Sequence, residues 1–326
     1  MSTKVAIAIP THNRLGYLKE CIRSILDQTF QDFAVYVFDN ASQEPVEQEL
    51  QALGDPRIHF IGSETNIGVV KNFDRIRQYP FESEYLVIFH DDDAMHPRML
   101  ELETSFLDAH PNAVFVVSDL QRVSDKNIHV FAPLKTESLS ARVFLDGNDF
   151  LQAVMSWLRY AFDSAMYRTH AVRNHDVHYA RFSDFSDVAS LVTISQKGSC
   201  GFLPAPLVNY RIHPQQDSRM MKKEYKRGAM EFLSFLRESL SLSLSKGDER
   251  LMRRYAVNFL LRTYADINQG VVEFLRFLQT CRQKNLVGYY SLRYLDARGF
   301  VSLASIFFRN RKIIDAARWV RNLFQS

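Results

Sequence analysis

The sequence is poor in cysteine and has no pair of cysteines at a metal-binding or redox spacing. Its three cysteines, Cys21, Cys200 and Cys281, lie far apart along 326 residues. An odd and dispersed set argues against a fold held by disulfides. The lack of a Cys-x-x-Cys pair removes the usual signal of structural zinc or dithiol redox chemistry. We expect reduced thiols, as in a cytoplasmic protein.

Long apolar runs are also absent. The longest late run, residues 299–308, is well short of the roughly 20 residues that a membrane-spanning helix needs. Residues 1–4 lead directly into a strand-like run that stops at Pro10, which does not fit a secretory signal. No internal repeat or long low-complexity segment is present. We therefore expect a cytoplasmic protein without a membrane-spanning segment.

Charge is distributed unevenly along the chain. Residues 1–218 contain 19 Lys and Arg against 28 Asp and Glu, whereas residues 219–326 contain 21 against 9. The second region has no proline after Arg219, and its apolar residues recur at helical spacing, for example Phe232, Leu233 and Leu236. We predict two domains, an acidic one over 1–218 and a basic helical bundle over 219–326 that faces something anionic.

The first region alternates short apolar runs with amphipathic segments, which predicts an α/β fold. The predicted strands are Val5–Ile9, Phe33–Phe38, Arg57–Ile61, Tyr85–Phe89 and Ala113–Val117, and a later strand-like run spans Leu203–Tyr210. The predicted helices include Val69–Gln78 and Gly147–Tyr160. Helices between successive strands imply a mostly parallel, Rossmann-like sheet sandwiched by helices. No Gly-x-Gly-x-x-Gly follows the first strand, which removes the main support for a dinucleotide-binding enzyme.

Polar residues follow four of these strands. They are Thr11, His12 and Asn13 after the first strand, Asp39 after the second, Asn66 and Gly68 after the third, and Asp91, Asp92 and Asp93 after the fourth. Ligands of such sheets bind beyond the carboxyl ends of the strands, so we expect these residues to converge. Three successive carboxylates repel one another unless something neutralises them, which indicates a divalent cation held by oxygen. A solvated turn or a helix start is the alternative.

These segments, in this order, resemble family 2 glycosyltransferases of the GT-A fold over about residues 4–218. The matching segments are Ile9-Pro10-Thr11-His12-Asn13-Arg14, Val37-Phe38-Asp39-Asn40-Ala41-Ser42, Asn66-Ile67-Gly68 with Lys71-Asn72, Phe89-His90-Asp91-Asp92-Asp93 with Pro97, Ser186-Asp187 with Leu191 and Gly198, and Tyr210-Arg211-Ile212-His213. The resemblance implies transfer of a sugar from a nucleotide diphosphate donor, UDP by default, to an acceptor hydroxyl with inversion at the anomeric carbon.

The resemblance also implies a Mn²⁺ or Mg²⁺ ion that stabilises the departing diphosphate. It assigns metal binding to Asp92, with Asp93 as a further ligand or a neighbour of one. His90 stands where the family often has the first Asp of an Asp-x-Asp-Asp run. His213 is a candidate ligand of the metal or the diphosphate after a loop closes; the alternative is a polar surface histidine.

Nucleotide binding is likewise assigned by the resemblance. The implied residues are Pro10, Thr11, His12 and Asn13 beside the base, Asp39 on a pyrimidine, Asn66 and Gly68 in the third loop, Lys71 toward ribose or phosphate, and Asp91 near the ribose. His12 stands where the family often has Tyr, and its ring could still stack on the base. For Lys71 the alternative is a solvated helix face.

The acceptor hydroxyl must lose its proton as it attacks, which requires a carboxylate across the sugar from the metal. Asp187 matches the position of the family's base by its spacing to Gly198. Asp184 is the second candidate. Asp187 also stands where an acidic residue caps a helix or occupies its first turn, and the two roles are compatible.

The basic C-terminal domain has two interpretations. It could bind an anionic membrane surface, as suits an enzyme whose acceptor is a glycan or lipid-linked glycan on the inner face of the plasma membrane. Alternatively, its basic faces are simply solvated. No nucleic acid is expected, although a nucleic-acid-binding module in this half is the non-enzymatic alternative.

Three other protein classes are alternatives to a glycosyltransferase. A sugar nucleotidyltransferase would need a glycine-rich basic loop after the first strand, where this chain has residues 10–14. An aspartyl phosphatase would have its paired acids after the first strand, and here they follow the fourth. A catalytically silent relative that only binds nucleotide remains an alternative.

Overall fold

The protein is described by a computed structural model that covers residues 3–135, 139–156, 158–173, 185–213 and 222–240, with residue 182 and single positions between 252 and 279. The strands are β1 Val5–Thr11, β2 Phe33–Asp39, β3 Ile58–Ile61, β4 Tyr85–Ile88, β5 Ala94–Met95, β6 Ala113–Val123, β7 Arg142–Phe144, β8 Met166–Arg168 and β9 Ser199–Arg211. The helices are α1 Leu15–Leu26, α2 Val46–Ala52, α3 Val69–Gln78, α4 Met99–Ala109, α5 Gly147–Met155, α6 Thr169–Arg173, α7 Ser186–Ser195 and α8 Lys222–Leu240. A short 3₁₀ turn spans Asp125–Asn127.

The chain divides into two compact units. The first comprises residues 1–150, 159–177 and 190–216, and the second comprises 151–158, 178–189 and 217–326. The predicted domain boundary at 218 stays a prediction, since most of the region 219–326 lies outside the described residues.

The first unit is built on one mixed sheet. Its strand order is β3-β2-β1-β4-β8-β6-β9-β5, and β7 pairs with β9 at the side. The pairs β1–β2, β2–β3, β1–β4 and β6–β9 are parallel, whereas β4–β8, β6–β8, β5–β9 and β7–β9 are antiparallel. The predicted α/β class is confirmed. The antiparallel strands β5, β7 and β8 were missed because two or three residues are too few to show a strand period.

The core of this unit lies between the sheet and its helices. Strand β1 is buried throughout residues 5–9. Its residues Val5, Ile7 and Ile9 share one apolar cluster with Leu18 and Ile22 of α1. A strand covered on both faces reads as a continuous apolar run, which is why β1 is visible in the sequence.

Strand β9 differs from the prediction, which placed it near Leu203–Tyr210. It begins at Ser199 and passes through Pro204 and Pro206. Proline cannot donate a ladder hydrogen bond, so it is confined to edges and bulges. The register with β6 shifts between Ser118 and Asp119, opposite these prolines, which accommodates them in the ladder.

The second unit contains α8. The predicted apolar face of this helix is buried at Phe232, Leu233 and Leu236. Phe232 stacks on Phe185 at 5.6 Å between ring centroids. Within the part of the chain that the structure describes, none of the helices combines the length and apolar character needed to cross a bilayer. The other predicted bundle helices and most of their basic residues lie outside the described residues.

Candidate functional site

The site lies where the strand order reverses. Strand β1 lies between β2, the next strand in the chain, and β4, the third strand after β1. Such a switch point opens a crevice at the carboxyl ends of the strands. In the sheet register Thr11 is opposite Asp39, so the ends of β1 and β2 are level. Residues after β4 therefore meet residues after β1.

The first contact across this crevice joins β1 to the carboxylate triplet. Thr11 Oγ1 donates a hydrogen bond of 2.7 Å to Asp91 Oδ2. Arg14 Nη1 lies 3.4 Å from Asp91 Oδ1 and 3.3 Å from Asp92 Oδ2. All three carboxylates of the triplet are buried. Arg14 therefore supplies positive charge to two adjacent buried acids, which reduces the cost of placing them side by side.

The second contact joins Asp92 to the end of the first unit. His213 Nε2 lies 2.9 Å from Asp92 Oδ2, although the two residues are 121 positions apart. The His213 side chain is fully buried, and its ring lies 4.8 Å from that of Tyr17. Its Nδ1 has no hydrogen-bond partner within the described ranges. His213 is thus a buried site residue and not a surface histidine.

The buried environment separates the protonation behaviour of the first two acids. Burial and, after it, the neighbouring Asp92 carboxylate raise the pKa of Asp91 to about 7, against the opposing effect of Arg14. Burial also tends to raise the pKa of Asp92, but charge on His90 and the hydrogen bond from His213 lower it overall. Asp92 is therefore the acid of this pair that is held as a carboxylate, the form that binds a cation.

The third acid has different partners. Asp93 Oδ1 accepts a 2.7 Å hydrogen bond from the backbone N–H of Arg211. Asp93 Oδ2 lies 3.8 Å from His90 Nδ1. Asp163, which lies three residues before β8, completes a cluster in which the candidate ligand atoms of His90, Asp93 and Asp163 lie within 4.8 Å of one another. Asp163 was missed in the sequence because it is an isolated acid before an unpredicted strand.

The loops after β1, β2 and β3 are tied together by hydrogen bonds. Asn40 Nδ2 donates to Asn66 Oδ1 at 3.0 Å. His12 Nε2 lies 3.0 Å from Asn66 Nδ2 and 3.1 Å from Asn13 Nδ2. Gly68 has φ of 83°, a conformation that favours glycine. The structure thus brings the predicted first and third loops together.

Asp39 closes the same loop region from β2. Its Oδ2 accepts a 3.0 Å hydrogen bond from the backbone N–H of Ser42, whereas its buried Oδ1 has no hydrogen-bond partner in the part of the chain that the structure describes. Pro10 is partly buried at the end of β1. Lys71 is exposed on α3, and no hydrogen bond or ion pair is found for it within the described ranges. Its predicted contact to ribose or phosphate stays a prediction.

The structure describes only one of the two candidates for the general base. Asp187 lies in the first turn of α7, is partly buried and belongs to the second unit. Asp184 lies outside the described residues. The position of Asp187 is compatible with a first-turn acid and with a general base, so both roles remain predictions.

Arg211, to which the sequence analysis gave no role, is buried and hydrogen-bonds to the backbone of the carboxylate triplet. Arg211 is 1% exposed; its Nε donates to the Asp92 backbone carbonyl at 2.6 Å, and Nη1 donates to Asp125 at 3.0 Å. Nη2 contacts Glu20, and the guanidinium lies 4.6 Å from the Tyr17 ring centre. The Arg211 side chain thereby fixes the backbone of Asp92, and the Arg211 backbone N–H holds the Asp93 carboxylate.

We expect Arg211→Met to lower the free energy of unfolding by roughly 2–4 kcal/mol, because it removes several charge-assisted hydrogen bonds at a buried position. Urea unfolding measures the change. The matched control is Arg159→Met, whose arginine side chain is 69% exposed in its ion pair with Asp119. An exposed pair of this kind contributes about 1 kcal/mol or less. Equal losses in the two variants would contradict the structural role given to Arg211.

Comparison with known proteins adds a family and a fold. The model of glycosyl transferase family 2 matches residues 6–163. A protein of Haemophilus influenzae named "Uncharacterized glycosyltransferase" is 22% identical over 246 residues, covering 74% of this chain and 75% of that protein. A Rickettsia bellii protein of the same name is 23% identical over 241 residues, covering 72% of this chain but only 32% of its own length.

Two solved structures show the same fold. S. aureus TarS 1–349 in complex with UDP-GlcNAc has a TM-score of 0.55 at 14% identity, covering 97% of this chain and 92% of that one. The mannosyltransferase PcManGT from Pyrobaculum calidifontis in complex with GDP-Man and Mn²⁺ has a TM-score of 0.53 at 14% identity, covering 94% and 86%. At these identities the likeness extends to the fold alone.

Proposed function

The chain belongs to glycosyltransferase family 2, and from this premise we propose that it transfers a sugar, with inversion, from a nucleotide diphosphate donor to an acceptor hydroxyl. The observation that carries the proposal is the buried contact between Asp92 and His213 beside Thr11 and Asp91, at the switch point of the sheet. Nucleotide ligands bind at such a point. The named complexes of TarS with UDP-GlcNAc and of PcManGT with GDP-Man support the donor class.

The residues at Asp92 fit a divalent metal ion. Asp92 Oδ2 and His213 Nε2 are 2.9 Å apart, close to the roughly 3 Å that separates adjacent ligands of an ion held at about 2.1 Å. A carboxylate oxygen with an imidazole nitrogen suits Mn²⁺ better than Mg²⁺, which prefers oxygen alone. When bound, the ion would offset charge on a leaving diphosphate. We propose that Asp92 and His213 hold it.

Arg14 lies beside the same carboxylate that would bind the metal ion. Its guanidinium lies within 3.4 Å of both Asp91 and Asp92. A guanidinium also matches phosphate oxygens in geometry and charge. We propose that Arg14 neutralises the two acids and can also contact the donor diphosphate, a role the sequence analysis did not assign to it.

The proposed nucleotide site lies at the hydrogen-bonded loops after β1, β2 and β3. Asp39 Oδ1 is a buried acceptor without a hydrogen-bond partner, and such an atom costs free energy unless a ligand donor satisfies it. The imide N–H of uracil is a donor of this kind, which agrees with UDP as the expected nucleotide. We propose that the base lies beside Asp39, with Thr11, His12 and Asn13 next to it, and that Asp91 faces the ribose.

The acceptor and the base complete the reaction. We propose that Asp187 takes the proton of the acceptor hydroxyl and that the acceptor is a glycan or lipid-linked glycan. Contact of the basic C-terminal region with an anionic membrane surface is part of the same proposal, since a lipid-linked acceptor would be held there.

The proposal is tested by thermal shift with UDP-glucose, UDP-galactose, UDP-GlcNAc and GDP-mannose, each with Mn²⁺ or with EDTA. We expect one UDP-sugar to stabilise the protein only when Mn²⁺ is present. A ligand at 100 times its dissociation constant adds about 2.7 kcal/mol, which for a chain of 326 residues corresponds to a Tm increase of roughly 4 °C. Stabilisation by the same donor in EDTA would contradict the metal-assisted reading, and GDP-mannose as the selected donor would contradict the choice of UDP.

A further inference from the structure

A second group of metal-ligating side chains lies beside the Asp92–His213 pair and is not used by the proposed reaction. It consists of His90, Asp93 and Asp163, whose candidate ligand atoms lie within 4.8 Å of one another. Asp93 and Asp163 are each 1% exposed. His90, with a side chain 28% exposed, gives the group its access to solvent. These three residues form the His90 cluster.

The His90 cluster has unused ligand atoms. Oδ2 of Asp93 and Oδ2 of Asp163 are buried, and neither has a hydrogen-bond partner among the described residues. Nearly all buried polar atoms in proteins have a partner, and a bound ion is one of the groups that can satisfy an exception. The Asp93 atom is the one that faces His90 Nδ1, at 3.8 Å. One carboxylate oxygen from each aspartate and one imidazole nitrogen therefore lie in the same small volume.

Acidic side chains crowd the cluster. Asp91 and Asp92 directly precede Asp93 in the chain, and all three are buried. Buried charges of one sign require a counterion or protonation, and a bound cation would supply the first.

We propose that His90, Asp93 and Asp163 bind a second divalent cation, separate from the ion of the Asp92–His213 pair. Ligand atoms around one ion of this class are about 3.0–4.4 Å apart, so the cluster closes onto it with side-chain movements below about 1 Å. The imidazole favours Mn²⁺ or Zn²⁺ over Mg²⁺. Such an ion would fix the turn 90–93, because Asp93 also receives the Arg211 N–H.

The inference does not depend on sugar transfer and is tested by counting metal ions. The full chain is stripped with EDTA, dialysed and titrated with Mn²⁺, and bound ions are counted by mass spectrometry and by the electron paramagnetic resonance signal of free Mn²⁺. We expect Asp163→Asn to bind one Mn²⁺ fewer per chain than the unaltered protein. We expect Asp92→Asn to keep the ion that Asp163→Asn loses.

His90→Gln provides the second variant, since its side chain is partly exposed and its replacement does not bury a new group. It should lose the same ion as Asp163→Asn. Unchanged stoichiometry in His90→Gln and in folded Asp163→Asn would overturn the proposal. Loss of all Mn²⁺ in Asp92→Asn alone would overturn the second site while leaving the proposed function intact. Repetition with Zn²⁺ ranks the two metals.

Discussion

Asp92→Asn is expected to reduce kcat/KM for sugar transfer by roughly 10²–10⁴-fold, because a neutral amide replaces the carboxylate that meets His213. The substitution conserves size, so the packing around this buried side chain changes little. Asn retains one oxygen but not the charge, and a divalent ion loses most of its attraction to the site. Release of nucleoside diphosphate from the selected donor in the presence of Mn²⁺ measures the effect.

The matched control for this substitution is Asp27→Asn. Asp27 lies exposed at the end of α1, away from the carboxyl ends of the strands, and it should keep full activity. A Tm within a few degrees of the unaltered protein confirms that Asp92→Asn is folded. Retention of more than about a tenth of the activity would show that Asp92 does not supply the charge assigned to it. Higher Mn²⁺ concentrations should recover little, since the charge itself is missing.

The three successive carboxylates show what could and could not be predicted. Their place beyond β4 follows from the apolar run before them and from the rule that ligands meet the carboxyl ends of parallel strands. The sequence analysis predicted a cation at Asp92, with Asp93 as a further ligand or a neighbour of one and Asp91 near the ribose. In the structure Asp91 contacts Thr11, Asp92 contacts His213, and Asp93 contacts His90 and the backbone of Arg211. Partners from positions 11 to 213 separate the acids, and no local pattern records them.

The elements show the same limit. Helix α3 has the predicted bounds, Val69–Gln78, because its apolar spacing and the flanking Gly68 are local signals. Strand β6 was predicted to end at residue 117 but continues to Val123. Its polar end is held by parallel pairing with β9, so the partner and not the local sequence determines its length. Helix α5, predicted to reach Tyr160, ends at Met155.

Asp187→Asn is expected to reduce kcat by roughly 10²–10⁴-fold while leaving donor affinity within about threefold, because it removes a general base and no donor contact. Single-turnover transfer gives the rate, and the Mn²⁺-dependent thermal shift with the donor gives the affinity. The lost rate should not return at high acceptor concentration. A rise in pH should not restore it either, since an amide does not titrate in this range.

The choice of Asn separates the two roles that Asp187 could have in the first turn of α7. Asn accepts backbone hydrogen bonds at a helix start about as well as Asp, so a residue that only stabilises the helix would lose at most about 1 kcal/mol and little activity. Asp184→Asn is the matched control, with activity expected within about twofold of the unaltered protein if Asp187 is the base. Loss of turnover in Asp184→Asn with a normal rate in Asp187→Asn would transfer the role to Asp184. Normal rates in both variants would remove the general base from this helix.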